Sequence, residues 1–520
     1  MRAALLLALV VIAIAHVRGA GEHPNNQDRE LDLLLARRIR AEGVLSDGAR
    51  SPLFPLALAP VAGDDPAFYE RARWVALLLG GLAFAGTFLL VRATLGARVA
   101  FVSAIALGPE WTFHVSRIRP EPIVACALVA MTAAVVRART SSRPTALHAL
   151  AGGAAGLVHL GKGSGPLTVG AVLLVLVVTW RRRAFRPMLV FLAGFLVAAG
   201  PLIVDSVRRF GSPFFNANIA HVMWESAGED QQWRWSTATA ASWWAEHGLS
   251  GSLARLGQGL LDVHYGPILL VALVATALAF VAARRRAERG RAALAWGGVA
   301  AALILSSGTA FAWWTPIANG RRYLFPVLAV AGPALVAFLD AWIARRSPRF
   351  GASEDRFVGR AFRAASHPIA LGVAVLAVVA VEVREASHPP IGGPRVPFDA
   401  PTLAMAARLR ELPPDTRVLA GPAATVPAPW LVYPNAIYDH LPSGLDADAA
   451  GQWIRDHADY VLLSDNLLGR RPVPFHSWAR LEAGSGAPGS RLVEGAPPAW
   501  AERIDVPAAG GEYLLYRVLR

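Results

Sequence analysis

The sequence is poor in two residue types that carry much of the chemistry of soluble enzymes. Its one cysteine, Cys126, lies inside an apolar run, so an internal disulfide is excluded. Its one lysine is Lys162, and every other basic side chain in the total of 51 Lys and Arg residues is arginine. Charged residues make up 17% of the chain, below the roughly 25% that is usual for soluble domains. This shortage of charge argues against an ordinary soluble protein.

Long apolar runs fill the first three quarters of the chain, and the mean hydropathy is +0.40. A helix needs about 20 mostly apolar residues to cross a bilayer, and several runs reach or approach that length. The sequence therefore predicts a polytopic α-helical membrane protein with about eleven transmembrane helices. The predicted spans are 3–19, 72–92, 98–116, 122–137, 147–160, 165–180, 188–206, 266–283, 292–312, 323–343 and 368–383.

The net charge of +14 is distributed as an orientation signal, so we expect no nucleic-acid partner. Arginines concentrate in alternate connections, which the positive-inside rule assigns to the cytoplasm. The N-terminus, with Arg2, is then cytoplasmic, and the first apolar run is interpreted as a retained span rather than a cleaved signal. The remaining connections are expected outside: 20–71, 117–121, 161–165, 207–265 and 313–322.

Two regions outside the predicted bundle have a character of their own. The loop 20–71 contains "DRELDLLLARRIRAEG" and "SPLFPLALAP", which we interpret as two amphipathic helices along the membrane surface. From residue 384 the chain becomes rich in Pro and Gly, with short β-like runs between two helix-like segments. The sequence predicts a transmembrane domain over 1–383 and a small extracytoplasmic α/β domain over 384–520, long enough for its own core.

Ionisable groups at the edge of a membrane are functional candidates by default, and many fall on the predicted outer face. A carboxylate there can accept a proton from an attacking hydroxyl, and cations can hold an anionic phosphate. The combination favours chemistry on a phosphate-linked substrate. The outer candidates are Asp28, Glu30, Arg117, Arg119, Glu121, Lys162, Arg208, Arg209, Arg321 and Arg322.

Each main candidate also has a structural interpretation, and these alternatives stay open at the level of sequence. Asp28 precedes an apolar-periodic run and suits a helix N-cap. Glu121 suits the first turn of a helix, where the macrodipole favours an acid. Arg321 and Arg322 suit an interfacial anchor for the span that follows them. His159, on an apolar run, suits a packed histidine.

The lysine lies in "AGLVHLGKGSG", residues 155–165, which nearly matches the phosphate-binding P-loop pattern. A P-loop follows a strand, opens a helix and needs Ser or Thr after its lysine to hold Mg²⁺. Here the flanking segments are apolar and helix-like, and Gly163 follows the lysine. We therefore reject a nucleotide site and expect the glycines to form a tight turn between two spans.

Several segments, in this order, resemble the GT-C glycosyltransferases, and in particular the bacterial group related to protein mannosyltransferases and aminoarabinose transferases. The similar segments are the first outer loop described above, "SRIRPEPIVACAL", "LVHLGKGSGPL", "PLIVDSVRRFGSPFFNANIAHVMWE" and "NGRRYLFPVLAVAGPAL". The likeness covers about residues 1–345. One departure is Arg29, which stands where the family has a second acidic residue after the position matched by Asp28.

The resemblance implies inverting transfer of a sugar from a polyprenyl-phosphate-linked donor to a lipid, glycan or protein acceptor. It places the protein in the bacterial inner membrane, with the reaction on the extracytoplasmic face. Asp28 takes the place of the catalytic carboxylate. The implied substrate-binding residues are Glu30, Arg119, Glu121, Lys162, Arg321, Arg322 and Tyr323.

No cofactor is certain from the sequence, and a divalent metal stays possible. His221 and Glu225, four residues apart, could share a helix face and bind a metal, or be ordinary loop residues. Two other functions also stay open. The same outer cations would suit a transporter or flippase of lipid-linked sugars that forms no bond, although no internal repeat is evident. Arg29 leaves an inactive member of the family as another alternative.

Overall fold

The computed structural model describes most of the predicted bundle and several segments of the C-terminal region. The described residues are 2–19, 27–48, 50–216, 223–224, 239–261, 288–314, 324–346, 400–413, 416–420, 436–439, 447–464, 492, 497–507 and 513–520.

Helices dominate up to residue 346, and every predicted span within the described ranges coincides with one. Five of these helices are long and apolar enough to cross a membrane, namely α4, α6, α8 with the turn that follows it, α9 and α11. The spans predicted at 266–283 and 368–383 lie outside the described residues. The helices are α1 Arg2–Gly19, α2 Gln27–Glu42, α3 Leu53–Leu58 with a 3₁₀ turn Ala59–Val61, α4 Ala67–Leu95, α5 Ala97–Val115, α6 Glu121–Ala138, α7 Pro144–Lys162, α8 Gly165–Trp180 with a 3₁₀ turn Arg181–Arg183, α9 Phe185–Phe210, α10 Ala240–Leu260, α11 Glu288–Trp314 and α12 Phe325–Arg346.

Helix α1 packs as a member of the bundle. Its small residues, among them Ala4, Ala8 and Ala15, are buried in the same apolar core as α4 to α9, α11 and α12. At its C-terminal end Arg73 of α4 donates a 2.6 Å hydrogen bond to the carbonyl oxygen of His16. These contacts agree with the interpretation of the first apolar run as a span of the bundle.

Helices α7 and α9 cross with their backbones in contact. A Cβ atom on Gly152 of α7 would lie 1.9 Å from the carbonyl oxygen of Phe191, and one on Gly194 of α9 would lie 2.2 Å from that of Ala149. Neither distance leaves room for a side chain, so both positions require glycine. Small residues allow such close helix pairs in membranes, where van der Waals packing rather than the hydrophobic effect drives association. The crossing fixes α7, whose last residue is Lys162.

Replacing Gly152 by alanine should weaken this crossing, because the added methyl group must push α7 and α9 apart. Overpacking of this kind costs about 1–3 kcal/mol. The neighbouring Gly153→Ala is a matched control, because a Cβ there meets nothing closer than the Gly194 carbonyl oxygen at 4.0 Å. Thermal unfolding of the purified protein in detergent should show a lower Tm for Gly152→Ala only. Equal Tm values for the two variants would contradict the close crossing.

The C-terminal region contains a five-stranded mixed sheet with the order β2-β1-β3-β5-β4. Strand β1 pairs in parallel with β2 and β3, while β5 pairs antiparallel with β3 and β4. The sheet and its helices confirm a small C-terminal α/β unit. The run "WLVYP" and much of the tail lie outside the described residues. Its elements are α13 Ala400–Arg410, β1 Thr416–Ala420, β2 Ala436–Asp439, α14 Ala447–His457, β3 Tyr460–Ser464, β4 Ala501–Ile504 and β5 Tyr513–Val518.

The loop 20–71 contains the two expected helices, α2 and α3. Leu33 of α2 and Phe54 and Leu58 of α3 are at most 1% exposed. They belong to one buried cluster with residues of α4 and of the C-terminal unit, including Leu409. Protein therefore covers much of the apolar surface of these two helices, while Leu56 of α3 is 37% exposed.

Candidate functional site

The start of α6 and the end of α7 bring two predicted site residues into direct contact. Glu121 is the first residue of α6, and Lys162 is the last residue of α7. The Lys162 ammonium donates a 2.7 Å hydrogen bond to Oε1 of Glu121. Gly161 makes this approach possible, because a Cβ there would lie 2.4 Å from a methyl group of Val124. Two residues that are 41 positions apart in the sequence thus form one ion pair.

The pair is almost fully removed from solvent, with side-chain exposures of 14% for Lys162 and 2% for Glu121. Each charge also suits its helix end, because an acid is favoured at an N-terminus and a cation at a C-terminus. Even so, a buried ion pair is weak support for stability, since desolvation offsets much of its Coulombic gain. Buried charges held in this way are candidates for function.

Further charged and aromatic groups surround the pair. Arg119, one of the predicted binding residues, is 9% exposed, and Arg117 lies over the ring of Phe113 at 4.1 Å. The charges of Glu121, Lys162, Arg119 and Arg117 all act on His114, so these groups lie near one another. The structure therefore places Arg117 and Arg119 near Lys162, the last residue of α7.

His114 is a completely buried polar residue next to this group. Its ring stacks on Phe325 at 4.3 Å, and Nε2 lies 3.9 Å from the carboxylate of Glu110, one turn earlier in α5. Within the described part of the chain neither ring nitrogen has a hydrogen-bond partner. A buried polar atom without a partner costs stability, and replacement by an apolar group of the same shape is nearly neutral or stabilising.

A cleft opens beside the end of α7. Three parts of the chain surround it: the loop 20–71, the last turn of α7, and the C-terminal end of α9 together with residues 213–216. Arg50 lines it from the outer loop, and His159 lines it from α7. The other lining residues are Ser46, Ser51, Gly163, Leu202, Ser206, Pro213, Phe214, Phe215 and Asn216. Hydroxyl, amide, imidazole and guanidinium groups together suit a polar, anionic ligand.

The loop that carries Arg50 is fixed to α9. Arg209 of α9 donates a hydrogen bond to the carbonyl oxygen of Ser46. Gly48 has a φ of +85°, and a Cβ there would lie 3.0 Å from the rings of Phe210 and Phe215. The loop is closed by Asp47, whose carboxylate accepts a 2.7 Å hydrogen bond from the backbone N–H of Arg50. One wall of the cleft is therefore built by tertiary contacts.

The side chains of the other main predicted site residues lie outside the described part of the chain. Asp28 and Glu30 lie in the first turn of α2, which begins at Gln27, so Asp28 lies inside the helix rather than at its N-cap. Their side chains lie outside the description, as do Arg321, Arg322, Tyr323 and the pair His221 and Glu225. Among the residues that are described, no group of three or more His, Cys, Asp or Glu side chains could hold a metal ion.

The turn around Lys162 confirms the rejection of a P-loop. Apolar helices α7 and α8 lie on both sides of it, with no strand before the lysine. Gly163 adopts a left-handed conformation with a φ of 65° and ends α7, as the expected tight turn requires. The other glycines of the stretch serve packing: a Cβ on Gly165, for instance, would lie 2.4 Å from the Cβ of His159.

The sequence analysis missed three polar residues of this region. Glu110 and His114 fall inside a predicted span, four residues apart, and ionisable groups at that depth are a signal of function. Arg50 lies in the first outer loop with many other charged residues, and nothing in its local sequence sets it apart. Only the contact of that loop with α9 places it beside His159.

Comparison with known proteins relates this site to a family. Residues 69–204 match the model of the family described as dolichyl-phosphate-mannose-protein mannosyltransferase. The matched segment contains both Glu121 and Lys162. No curated protein matches the chain.

Solved structures match nearly the whole chain at low sequence identity. ArnT from Cupriavidus metallidurans bound to undecaprenyl phosphate is 15% identical, with a TM-score of 0.53. The match covers 98% of this chain and 97% of that chain. Its apo form gives 14% identity, a TM-score of 0.52 and the same coverage. The Archaeoglobus fulgidus oligosaccharyltransferase in complex with Zn and sulfate is 12% identical with a TM-score of 0.51, over 89% of this chain and 68% of that one.

These matches define the class of protein. The chain is a membrane protein with the GT-C fold, and the resemblance seen in the sequence is confirmed. The family match over residues 69–204 further indicates that it is a glycosyltransferase.

Removing one partner of the Lys162–Glu121 pair should destabilise the protein strongly. Lys162→Met leaves an uncompensated carboxylate at a position that is 2% exposed, which typically costs about 3–5 kcal/mol. The double variant Lys162→Met/Glu121→Gln should recover most of the loss, because neither side chain is then charged. Unfolding midpoints of the single and double variants measure this coupling. Additive losses would show that the pair is not buried as described.

Proposed function

We propose that the protein transfers a sugar, with inversion, from a polyprenyl-phosphate-linked donor to a lipid, glycan or protein acceptor. The reaction takes place at the extracytoplasmic face of the bacterial inner membrane, and the N-terminus is cytoplasmic. The transmembrane part spans residues 1–383, and the extracytoplasmic domain spans 384–520.

The observation that carries this proposal is the buried pair of Lys162 and Glu121 beside a small cleft lined by both polar and apolar side chains. Lys162 is the single lysine of the chain, and its neighbour Gly163 lines the cleft together with His159 and Arg50. A lysine ammonium is a compact, strongly hydrated charge, and it suits a phosphate as a point charge. A site with cations on one side and carboxylates on the other matches the needs of glycosyl transfer from a lipid phosphate.

In the proposed mechanism Asp28 accepts the proton of the acceptor hydroxyl as its oxygen attacks the anomeric carbon. The bond from that carbon to the phosphate oxygen breaks, and the lipid phosphate leaves with the electron pair. Inversion follows because the acceptor attacks from the face opposite to the leaving group. A carboxylate positioned for general base catalysis contributes about 10²–10⁴-fold to such a reaction.

The cations stabilise the phosphate as negative charge develops on it. Lys162 provides one contact, with Arg321 or Arg322 as a second, and Arg50 and Arg119 add to the positive field. Because Lys162 is paired with Glu121, the donor phosphate competes with that carboxylate for the ammonium. Glu121 then accepts hydrogen bonds from sugar hydroxyls, and Glu30 and Tyr323 complete the binding of the substrates. Fixed charges in a dry site are usually the largest single contribution to catalysis.

The choice of donor is supported by the structural relative that was crystallised with undecaprenyl phosphate. The oligosaccharyltransferase relative was crystallised with Zn. A metal could contribute Lewis acidity to the leaving group if Asp28 and Glu30 ligate one, but no step of the mechanism above depends on it.

The catalytic role of Asp28 can be tested in lipid nanodiscs. We expect the wild-type protein to transfer a radiolabelled sugar from a polyprenyl-phosphate donor to an acceptor in a bacterial envelope extract. Asp28→Asn should lower this transfer by at least about 10²-fold, because the amide cannot take the proton. Glu42→Gln, at the other end of α2 and 37% exposed, is the control and should keep its activity. Transfer that survives Asp28→Asn would refute the assignment, and movement of the lipid across the bilayer without transfer would favour a transporter.

The phosphate contact of Lys162 predicts a graded response. Lys162→Arg keeps the charge but changes its shape, so we expect about a tenfold loss of kcat with folding preserved. Lys162→Met/Glu121→Gln removes the charge without leaving a buried carboxylate alone, and its loss should approach about 10²–10³-fold. Single-turnover rates with the same labelled donor measure both effects. Equal rates for wild type and Lys162→Arg would speak against a phosphate contact that depends on geometry.

A further inference from the structure

The C-terminal unit and the first outer loop share one apolar core. Leu33 and Ala36 of α2 and Leu58 of α3 are 0% exposed. The same buried cluster contains Leu409 of α13 and Leu462 of β3, both 0% exposed. Its other members include Ala62, Phe68, Tyr69, Met405, Ala406, Leu412, Val418, Tyr513 and Leu515. The sheet unit is therefore packed onto the loop rather than tethered beside it.

Polar contacts connect the same two parts through the segment 61–65. Arg410 of α13 lies 3.5 Å from the carboxylate of Asp64 and donates a 3.4 Å hydrogen bond to its carbonyl oxygen. Arg40 of α2 donates to the carbonyl oxygen of Ala62. Arg71 of α4 donates two hydrogen bonds to Asp65, at 3.1 and 2.8 Å, and thereby lowers the pKa of that carboxyl. The segment is thus held from α2, α4 and α13 at once.

Helix α2 depends on such packing for its position. It is 16 residues long and carries charged residues along most of its surface. In proteins most of the stability of a helix comes from the packing of its apolar face rather than from intrinsic propensity. The apolar face of α2 packs into the shared core, and its first turn contains Asp28.

We propose that the C-terminal unit is a positioning element for the loop 20–71. Its α13 and its sheet pack into the core shared with this loop and thereby hold α2, and so Asp28, in place. This inference rests on the proposed function, because it assigns a role to the unit in that reaction. A displacement of about 1 Å from a change far from the chemistry can cost about 10²-fold in rate. The position of Asp28 then depends on residues almost 400 positions later in the chain.

The test compares one substitution on the two faces of α13 in the full-length protein. Leu409 is 0% exposed in the shared core, and Leu403 is 37% exposed on the same helix. Leu409→Ala should increase amide hydrogen exchange in α2 and lower kcat by about 10- to 100-fold, with KM for the lipid donor nearly unchanged. Leu403→Ala should match wild type in both measurements. Exchange in α8, which contributes no residue to the shared core, serves as the internal reference.

A charge exchange at the edge of the interface covers the case in which Leu409→Ala fails to fold. Asp64 and Arg410 are 65% and 42% exposed in their side chains, so changes there should spare folding. Asp64→Arg and Arg410→Asp should each raise α2 exchange and lower kcat by about two- to fivefold. Asp64→Arg/Arg410→Asp should restore both, which a loss of general stability would not do.

The outcomes separate this inference from the proposed function. Unchanged α2 exchange in Leu409→Ala, or increased exchange with an unchanged kcat, overturns the positioning role while the glycosyltransferase assignment stands. If the wild-type protein transfers no sugar but its α2 exchange still responds to Leu409→Ala, the docking is supported and the proposed reaction is overturned. Rescue by the double charge exchange in both measurements supports the inference.

Discussion

The ion pair between Lys162 and Glu121 depends on the relative position of two helices, α6 and α7. It forms where α6 begins and α7 ends, and its 2.7 Å contact requires the close approach that Gly161 allows. The pair is also a constraint on the rest of the site, because two desolvated charges tolerate little displacement before one loses its partner. A buried ion pair of this kind needs a rigid frame.

The frame consists of closely packed helices, which are held together by van der Waals contacts rather than by hydrogen bonds or ion pairs. Inside a membrane, helices associate through close van der Waals contact, and the glycines of α7 and α9 place two backbones against each other. The outer loop is then fitted onto this frame through Arg209, Gly48 and the rings of Phe210 and Phe215. The cleft exists because the loop, the end of α7 and the end of α9 meet there.

Much of this arrangement could be predicted from the chain, and the exceptions share a physical cause. Spans and their approximate limits follow from apolar runs, because the bilayer imposes a length and a composition on any helix that crosses it. The lysine and Glu121 were recognised from their positions at span ends and from the resemblance to a family. Arg50 and His114 were not, because their environment is created by residues distant in sequence. The apolar faces of α2 and α3 were assigned to lipid, since periodicity identifies an apolar face but does not say what covers it.

The sequence by itself determined the class of the protein, the order of its helices and the turn that carries its single lysine. Those features depend on local composition, on the hydrophobic thickness of a membrane and on the backbone freedom of Gly163. Tertiary structure alone decided that Lys162 contacts Glu121, that Arg50 and His159 line one cleft, and that a sheet built from residues beyond 400 shares a buried apolar cluster with α2. Such contacts depend on the relative placement of whole helices, which is set by the summed packing of many side chains and is not encoded in any short stretch.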